Sequence, residues 1–263
     1  WAPGRGRGAH AFDQRSAGIL LGADAPVGAG LAGVSVGYSN VRTDSQDGVA
    51  RTRADAYQLS VYGSANAGHV FVDGTAAYTY VDYDTTRRLA FGGLARQASA
   101  SPKGHDLSLA TKLGTRHALG GWQAEPSLGL DYYRLYRSRF SESGAGAASL
   151  HVASDTRHLI MPSVGVRVSR TFDLNGYAVS PELRARYYHH LGDRQTAVEA
   201  TLAGIGGTAF RVDGASLGRS TGVVGASLAA QRSQHLQFFA SYDATLNRDL
   251  TAHTVSAGLT YRW

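Results

Sequence analysis

Two serines have the Gly-x-Ser-x-Gly spacing of a hydrolase nucleophile. The matches are Gly33-Val34-Ser35-Val36-Gly37 and Gly214-Ala215-Ser216-Leu217-Gly218. A nucleophile of this kind needs a strand, a sharp turn and a helix that together expose its Oγ. Ser35 is instead predicted in mid-strand, and Ser216 in a long loop with no helical pattern after it. We therefore expect both serines to be structural and keep a hydrolase only as an alternative.

The other candidate motifs also lack the elements that their chemistry needs. Gly28-Ala29-Gly30-Leu31-Ala32-Gly33 fits a dinucleotide fingerprint, but a hairpin turn and a strand are predicted after it instead of a helix N-terminus. His189 and His190 are neighbours on a predicted strand, so they point to opposite faces and cannot share a metal there. His151 and His158 are predicted in loops or at a rim, and the chain has no cysteine. The sequence thus predicts no catalytic residue, no metal and no cofactor.

Aromatic and basic side chains are mixed between Tyr132 and Phe140. Such a mixture also occurs in nucleic-acid platforms, but no other predicted strand repeats it. A long strand that crosses an interfacial aromatic girdle and emerges among lipid phosphates accounts for the same residues. We expect lipid contacts here and no nucleic acid.

Strict alternation of apolar and polar residues predicts β-strands along the whole chain. At the C-terminus, an apolar face ends in Trp263, as is typical of the closing strand of an outer-membrane β-barrel. No run of about 18 apolar residues exists, which excludes helical membrane spans. The mean hydropathy of −0.21 is uninformative, because lipid-facing and lumen-facing residues cancel. The predicted fold class is an all-β, transmembrane antiparallel barrel in the bacterial outer membrane, with residues 1–263 as a single domain.

Twelve strands are predicted, and short connections alternate with long ones. The short turns, such as Leu174-Asn175-Gly176, are placed on the periplasmic rim, and the long connections near residues 44–55, 90–104, 144–155 and 193–218 are placed outside. Strands about 4.8 Å apart and tilted about 40° then enclose a cylinder roughly 24 Å across. Inward side chains narrow it to about the width of one helix, enough for a polypeptide segment but not for a folded domain. The predicted strands are 1–8, 14–25, 31–43, 56–65, 69–87, 105–118, 122–142, 156–173, 177–192, 219–231, 235–247 and 250–263.

Charged residues fall on the inward face of these strands. They either pair and keep a polar pore hydrated, or some of them contact a translocating chain or a proteolytic site. Pairing is the simpler role, because a buried charge needs a partner in any case. The same alternation would fit a soluble sandwich that buries its apolar face, but tyrosines near strand ends and the length of strands such as 122–142 argue against it. The predicted pore-lining residues are Asp73, Lys112, Arg116, Glu125, Asp131, Arg167, Glu182, Arg184, Arg186, Asp243 and Arg262.

Four segments resemble the translocator (β) domain of a classical autotransporter, of the type V secretion family. They are residues 18–24, 140–145, 222–228 and 258–263. The resemblance implies a twelve-stranded pore that anchors an N-terminal passenger domain and helps to export it to the cell surface. It implies as partners the chain's own passenger and linker, outer-membrane lipid and lipopolysaccharide, the barrel-assembly machinery and periplasmic chaperones, with the chain as a monomer. The assembly signal that it implies is formed by Val255, Ala257, Leu259, Tyr261 and Trp263.

The chain departs from this family at its start. The family threads a helical linker through the lumen before the first strand, whereas Trp1 already has a strand pattern, and no signal-peptide pattern precedes it. We therefore expect the passenger and linker to be absent from this sequence, and we assign no linker-cleaving role to Glu125, Asp131 or Glu182. A small-solute channel of the same architecture stays an alternative.

Deletion of Trp263 is expected to impair membrane insertion before it alters the pore. The terminal aromatic belongs to the implied assembly signal, whereas its neighbour Arg262 is predicted to face the lumen. Outer-membrane fractions of cells expressing the shortened chain should contain several-fold less folded protein than wild type. Normal levels of folded protein at the surface would contradict this assignment.

Overall fold

The computed structural model describes residues 12–91, 94–192, 195–204, 209–216, 218–233, 235–248 and 250–262. The predicted first strand, residues 1–8, and the terminal Trp263 lie outside these ranges. Within them, eleven long antiparallel strands follow one another as hydrogen-bonded neighbours, and we call them the wall. The wall strands are β1 (Phe12–Val27), β2 (Gly30–Ser45), β3 (Ala50–Ala67), β4 (Val70–Phe91), β6 (Lys103–Thr115), β8 (Trp122–Arg137), β11 (Asp155–Ser169), β13 (Tyr177–His189), β17 (Ser220–Gln231), β18 (Leu236–Asn247) and β19 (Leu250–Tyr261).

Shorter strands extend the ends of the wall or form a second sheet. The four that join the wall are β5 (Leu94–Ala100), β7 (His117–Leu119), β12 (Phe172–Leu174) and β14 (Leu191–Gly192). The second sheet has the order β16-β15-β10-β9, and its strands are β9 (Phe140–Ser141), β10 (Leu150–Val152), β15 (Gln195–Leu202) and β16 (Ala209–Ser216). A single 3-10 turn, Gly146–Ala148, lies within the described ranges.

The wall strands correspond to the eleven strands predicted after residue 8, and the total of twelve stays a prediction. Short turns join them at one end, as expected. At the other end the predicted long connection near residues 44–55 is wrong: β2 and β3 extend into it and pair there, so only residues 46–49 connect them. At the short end, Asn175 and Gly176 both have positive φ, 55° and 79°, which is the type I′ turn that Asn-Gly favours in a hairpin.

The long connections are more ordered than predicted. In the predicted connection 90–104, β4 continues to Phe91, β5 pairs with it, and β6 begins at Lys103. Residues 193–218 contain β15 and β16, so that Ser216 ends a strand. β8 stops at Arg137, short of the predicted Glu142, because Phe140 and Ser141 pair with β10 instead. Arg87 ties this segment to β4, donating to the Glu142 carboxylate at 3.1 and 2.5 Å. These pairings satisfy backbone groups that an irregular loop would leave without partners.

The apolar face of the wall is exposed, and small polar residues are buried. Ile19, Leu128 and Val255 are 62%, 61% and 79% exposed, whereas Ser35 and Ser60 are 6% and 4% exposed. A soluble sandwich must bury its apolar face, so this arrangement contradicts that alternative and fits a wall surrounded by lipid. In the part of the chain that the structure describes, no helix has the length and apolar character needed to cross a membrane.

Candidate functional site

A cavity of about 610 Å³ lies on the inner face of the wall. Its lining comes from β4, β6, β8, β11, β13, β17 and β18, so the wall curves around it. Nine of the eleven predicted pore-lining residues are part of this lining: Asp73, Lys112, Glu125, Asp131, Arg167, Glu182, Arg184, Arg186 and Asp243.

Glu125 is the most buried of these charges, with 5% of its side chain exposed. It lies directly opposite Arg167 in the β8–β11 register, and Arg167 donates to its Oε2 from Nε at 2.7 Å and also from Nη2. Arg116 Nε and Gln123 Nε2 donate to Oε1 at 3.1 and 2.7 Å. Four N–H groups from three residues therefore compensate the cost of removing this carboxylate from water.

The same interactions continue around the wall as a chain of alternating charges. Arg167 lies 3.6 Å from Glu182, and Glu182 accepts a hydrogen bond from Arg184 at 3.2 Å. Arg184 then donates to both carboxylate oxygens of Asp243, at 2.8 and 2.6 Å. We call this series from Arg116 to Asp243 the charge ladder; it links strands from β8 to β18 and contains as many acids as bases.

Gly225 allows the last step of the charge ladder. In the register of β17, Gly225 lies opposite Arg184 on one side and Asp243 on the other. A Cβ at this position would lie 2.1 Å from Asp243 Oδ1 and 3.0 Å from Arg184 Nε. Only a residue without a side chain lets the guanidinium and the carboxylate meet across the strand between them.

Arg186 crosses a neighbouring strand in the same way. It lies opposite Gly165 of β11 and donates to Ser127 of β8 at 2.6 Å and to Ser163 at 2.9 Å. A Cβ on Gly165 would come within 3.1 Å of its guanidinium. The arginines therefore lie along the wall instead of projecting across the cavity.

The remaining predicted charges lie beside the charge ladder or away from it. Lys112 and Asp73 form a separate pair at 2.7 Å. Arg116, the first member of the charge ladder, also donates to Asn66 Oδ1 at 2.6 Å. Arg116 and Arg262 are not among the residues that line the cavity; Arg262 is exposed at the end of β19, where its N–H donates to the His235 carbonyl at 2.8 Å.

Sequence reasoning missed the small and aromatic residues that hold these charges in place. Phe71 is 2% exposed, and its ring lies 4.7 Å from the Arg116 guanidinium and 5.4 Å from Lys112 Nζ. Its ring fits because Gly114 lies opposite, where a Cβ would be 2.4 Å from Phe71 Cζ. Small residues on an inward face between charged ones are the signal that would have indicated such crossings.

The motifs with possible chemistry are built into turns and strands. Ser35 lies within β2 and shares a 2.5 Å hydrogen bond with Ser60, and Gly28 has φ +57° in the β1–β2 turn. His151 bonds to Ser141, and His158 bonds to Tyr132 on the outer face. Among the residues described, no three His, Asp or Glu side chains are grouped closely enough to hold a metal.

Three residues of the predicted assembly signal lie on the apolar, outer face of β19. Val255, Leu259 and Tyr261 are 79%, 58% and 60% exposed, while Trp263 lies outside the described ranges. Because β19 extends to Tyr261 and successive side chains of a strand alternate between its faces, these three side chains share one face.

Comparisons of the sequence and of the fold with known proteins agree on one family. The family model described as "Autotransporter beta-domain" matches residues 3–243. The translocator domain of autotransporter NalP from Neisseria meningitidis has a similar fold, with a TM-score of 0.76, 17% identity, and coverage of 96% of this chain and 81% of that one. The β domain of the Bordetella autotransporter BrkA gives a TM-score of 0.72 at 18% identity, with coverage of 96% and 92%.

The curated relatives are much longer than this chain. An extracellular serine protease of Serratia marcescens is 23% identical over 248 residues, which is 94% of this chain but 23% of that protein. The chain thus spans about a quarter of the length of this relative.

Replacement of Gly225 by Ala is expected to break the Arg184–Asp243 pair and lower the free energy of unfolding by about 1–3 kcal/mol. Gly222→Ala is the matched control on the same strand, because the nearest atom to its Cβ would be 3.9 Å away. Urea unfolding of each variant in lipid vesicles, followed by tryptophan fluorescence, measures the difference. Equal unfolding midpoints for the two variants would show that the crossing does not contribute to stability.

Proposed function

Because the chain belongs to the autotransporter β-domain family, we propose that it is the outer-membrane translocator of a longer protein. In this function the wall anchors the protein in the membrane, and the cavity holds and passes the C-terminal part of an N-terminal passenger on its way to the cell surface. The observation that carries the proposal is the pairing of an apolar exterior with a cavity lined by the charge ladder.

The pairing of charges suits a conduit better than a binding site. Acids and bases alternate along the charge ladder, so the cavity wall is strongly polar and yet presents no large excess of either sign. Such a wall stays hydrated, and it attracts a passing chain of either charge only weakly. Because the arginines lie flat against the wall over Gly165 and Gly225, they leave the middle of the cavity open.

The proposal gives the chain no catalytic role. Names such as extracellular serine protease describe relatives of which this chain matches about a quarter, and we assign those activities to the unmatched parts. Export would then draw its direction from folding of the passenger outside the cell or from the assembly machinery. The proposed partners are the chain's own passenger and linker, the barrel-assembly machinery and periplasmic chaperones, with residues 1–263 acting as one monomeric domain.

A bulky side chain inside the cavity is expected to block export. Ala110 is opposite Thr75 and Asp131 in register, so Ala110→Trp places an indole in the conduit. Leu109→Trp on the same strand is the matched control, because Leu109 is 43% exposed on the outer face. With a reporter domain fused before Trp1, Ala110→Trp should reduce the fraction of reporter cleaved by external protease at least five-fold, and Leu109→Trp should leave it unchanged.

Folding of both variants is checked by the heat-dependent migration of the barrel in gel electrophoresis. If folded Ala110→Trp exports the reporter as well as wild type, the cavity is not the route. Conductance in planar bilayers separates the remaining alternative: a conduit should conduct less when the upstream linker is restored, whereas a small-solute channel should be insensitive to it.

A further inference from the structure

Three tyrosine–histidine pairs with the same geometry recur on the outer face of the wall. Tyr hydroxyl and His Nδ1 are 2.6 Å apart in Tyr78–His105, 2.9 Å in Tyr132–His158 and 2.7 Å in Tyr242–His253. The ring centroids are 6.0, 6.1 and 6.0 Å apart, and the rings are stacked. In each pair the two residues are diagonal neighbours on adjacent strands.

Two of the pairs belong to one continuous patch across four strands. His105 of β6 lies between Tyr80 and Tyr136 in register, with ring centroids 5.4 and 6.0 Å away. His158 of β11 lies on the other side of β8, opposite Arg134. The patch is near the long-connection end of the wall, since His105 and His158 are the third and fourth residues of their strands. We call it the outer patch; it consists of Tyr78, Tyr80, His105, Tyr132, Arg134, Tyr136 and His158.

Arg134 gives the outer patch an uncompensated positive charge. It is exposed, it is opposite Leu107 and His158 in register, and it forms no ion pair with any residue in the described part of the chain. The nearby Lys103 is opposite Asp82, so these two charges offset each other. The patch can therefore bind an anion at Arg134.

The residues around Arg134 are suited to a phosphate at a membrane surface. A guanidinium can bind two oxygens of one phosphate, and tyrosines are stable at the boundary between acyl chains and headgroups. Below the patch, the outer face is apolar: Leu109, Leu128, Leu130 and Ile160 are 43%, 61%, 51% and 41% exposed.

We propose that the outer patch binds the phosphate group of a phosphorylated glycolipid of the outer leaflet. The lipid's acyl chains would lie on the leucines and isoleucine below the patch, and its phosphate would contact Arg134. A lipid fits better than a protein partner because the charged group lies directly above an apolar surface that continues down the same strands. This inference concerns the outer face of the wall and does not depend on what passes through the cavity.

The third tyrosine–histidine pair offers both a control and a gain-of-function test. Tyr242 and His253 have the same geometry, but Ala244 occupies the place opposite His253 that Arg134 occupies opposite His158. Arg134→Gln should remove the lipid site, His253→Gln should leave it intact, and Ala244→Arg should create a second site.

The test is native mass spectrometry of the chain in detergent micelles with added diphosphoryl lipid A, or with the same lipid freed of its phosphates. Wild type should retain one diphosphoryl lipid at least ten-fold more strongly than the phosphate-free lipid, Arg134→Gln should lose this preference, and Ala244→Arg should retain two lipids. Heat-dependent migration confirms that each variant is folded. The proposal is overturned if Arg134→Gln binds as wild type does, if removal of the phosphates leaves binding unchanged, or if Ala244→Arg gains no second lipid.

Discussion

Because the wall is one sheet thick, each of its side chains faces either lipid or the cavity, and no third environment is available. Because apolar residues such as Leu128 occupy the outer face, the charges of the charge ladder lie on the inner face and must find their partners there. Even Phe71, a fully buried large side chain, lies beneath the cations of Arg116 and Lys112 instead of in an apolar core. The stability of the wall and the character of the cavity therefore depend on the same inner-face interactions.

The charge ladder meets this constraint by combining long arginine side chains with glycines, which have no side chain. Arginine is long enough to reach the second strand away, and its fork holds both carboxylate oxygens of Asp243. The crossing needs a residue without Cβ on the strand between, which is what Gly225 and Gly165 provide. A cavity lined in this way stays open and polar, which is the property that export of a polypeptide requires.

Alternation was sufficient to predict the two faces and the short turns, because both are local. The alternation of side chains along each strand placed Glu125, Arg167 and Asp243 on the inner face. The Asn175-Gly176 pair predicted the tight turn in which it lies. The partners could not be predicted in this way, because the contact between Arg184 and Asp243 depends on the register of three strands. In the second sheet, β9 and β10 were missed because strands of two or three residues, such as Phe140–Ser141, have too little pattern and are defined by distant partners.

The central claim is that a passenger travels through the charged cavity, and site-specific photo-cross-linking to a stalled passenger tests it most directly. A photoreactive residue at Thr75, which lines the cavity, should form an adduct with the passenger. The same residue at Val72 on the outer face of the same strand, 44% exposed, should form none. Adducts from Val72 alone, or from neither position while the passenger is stalled, would contradict the account.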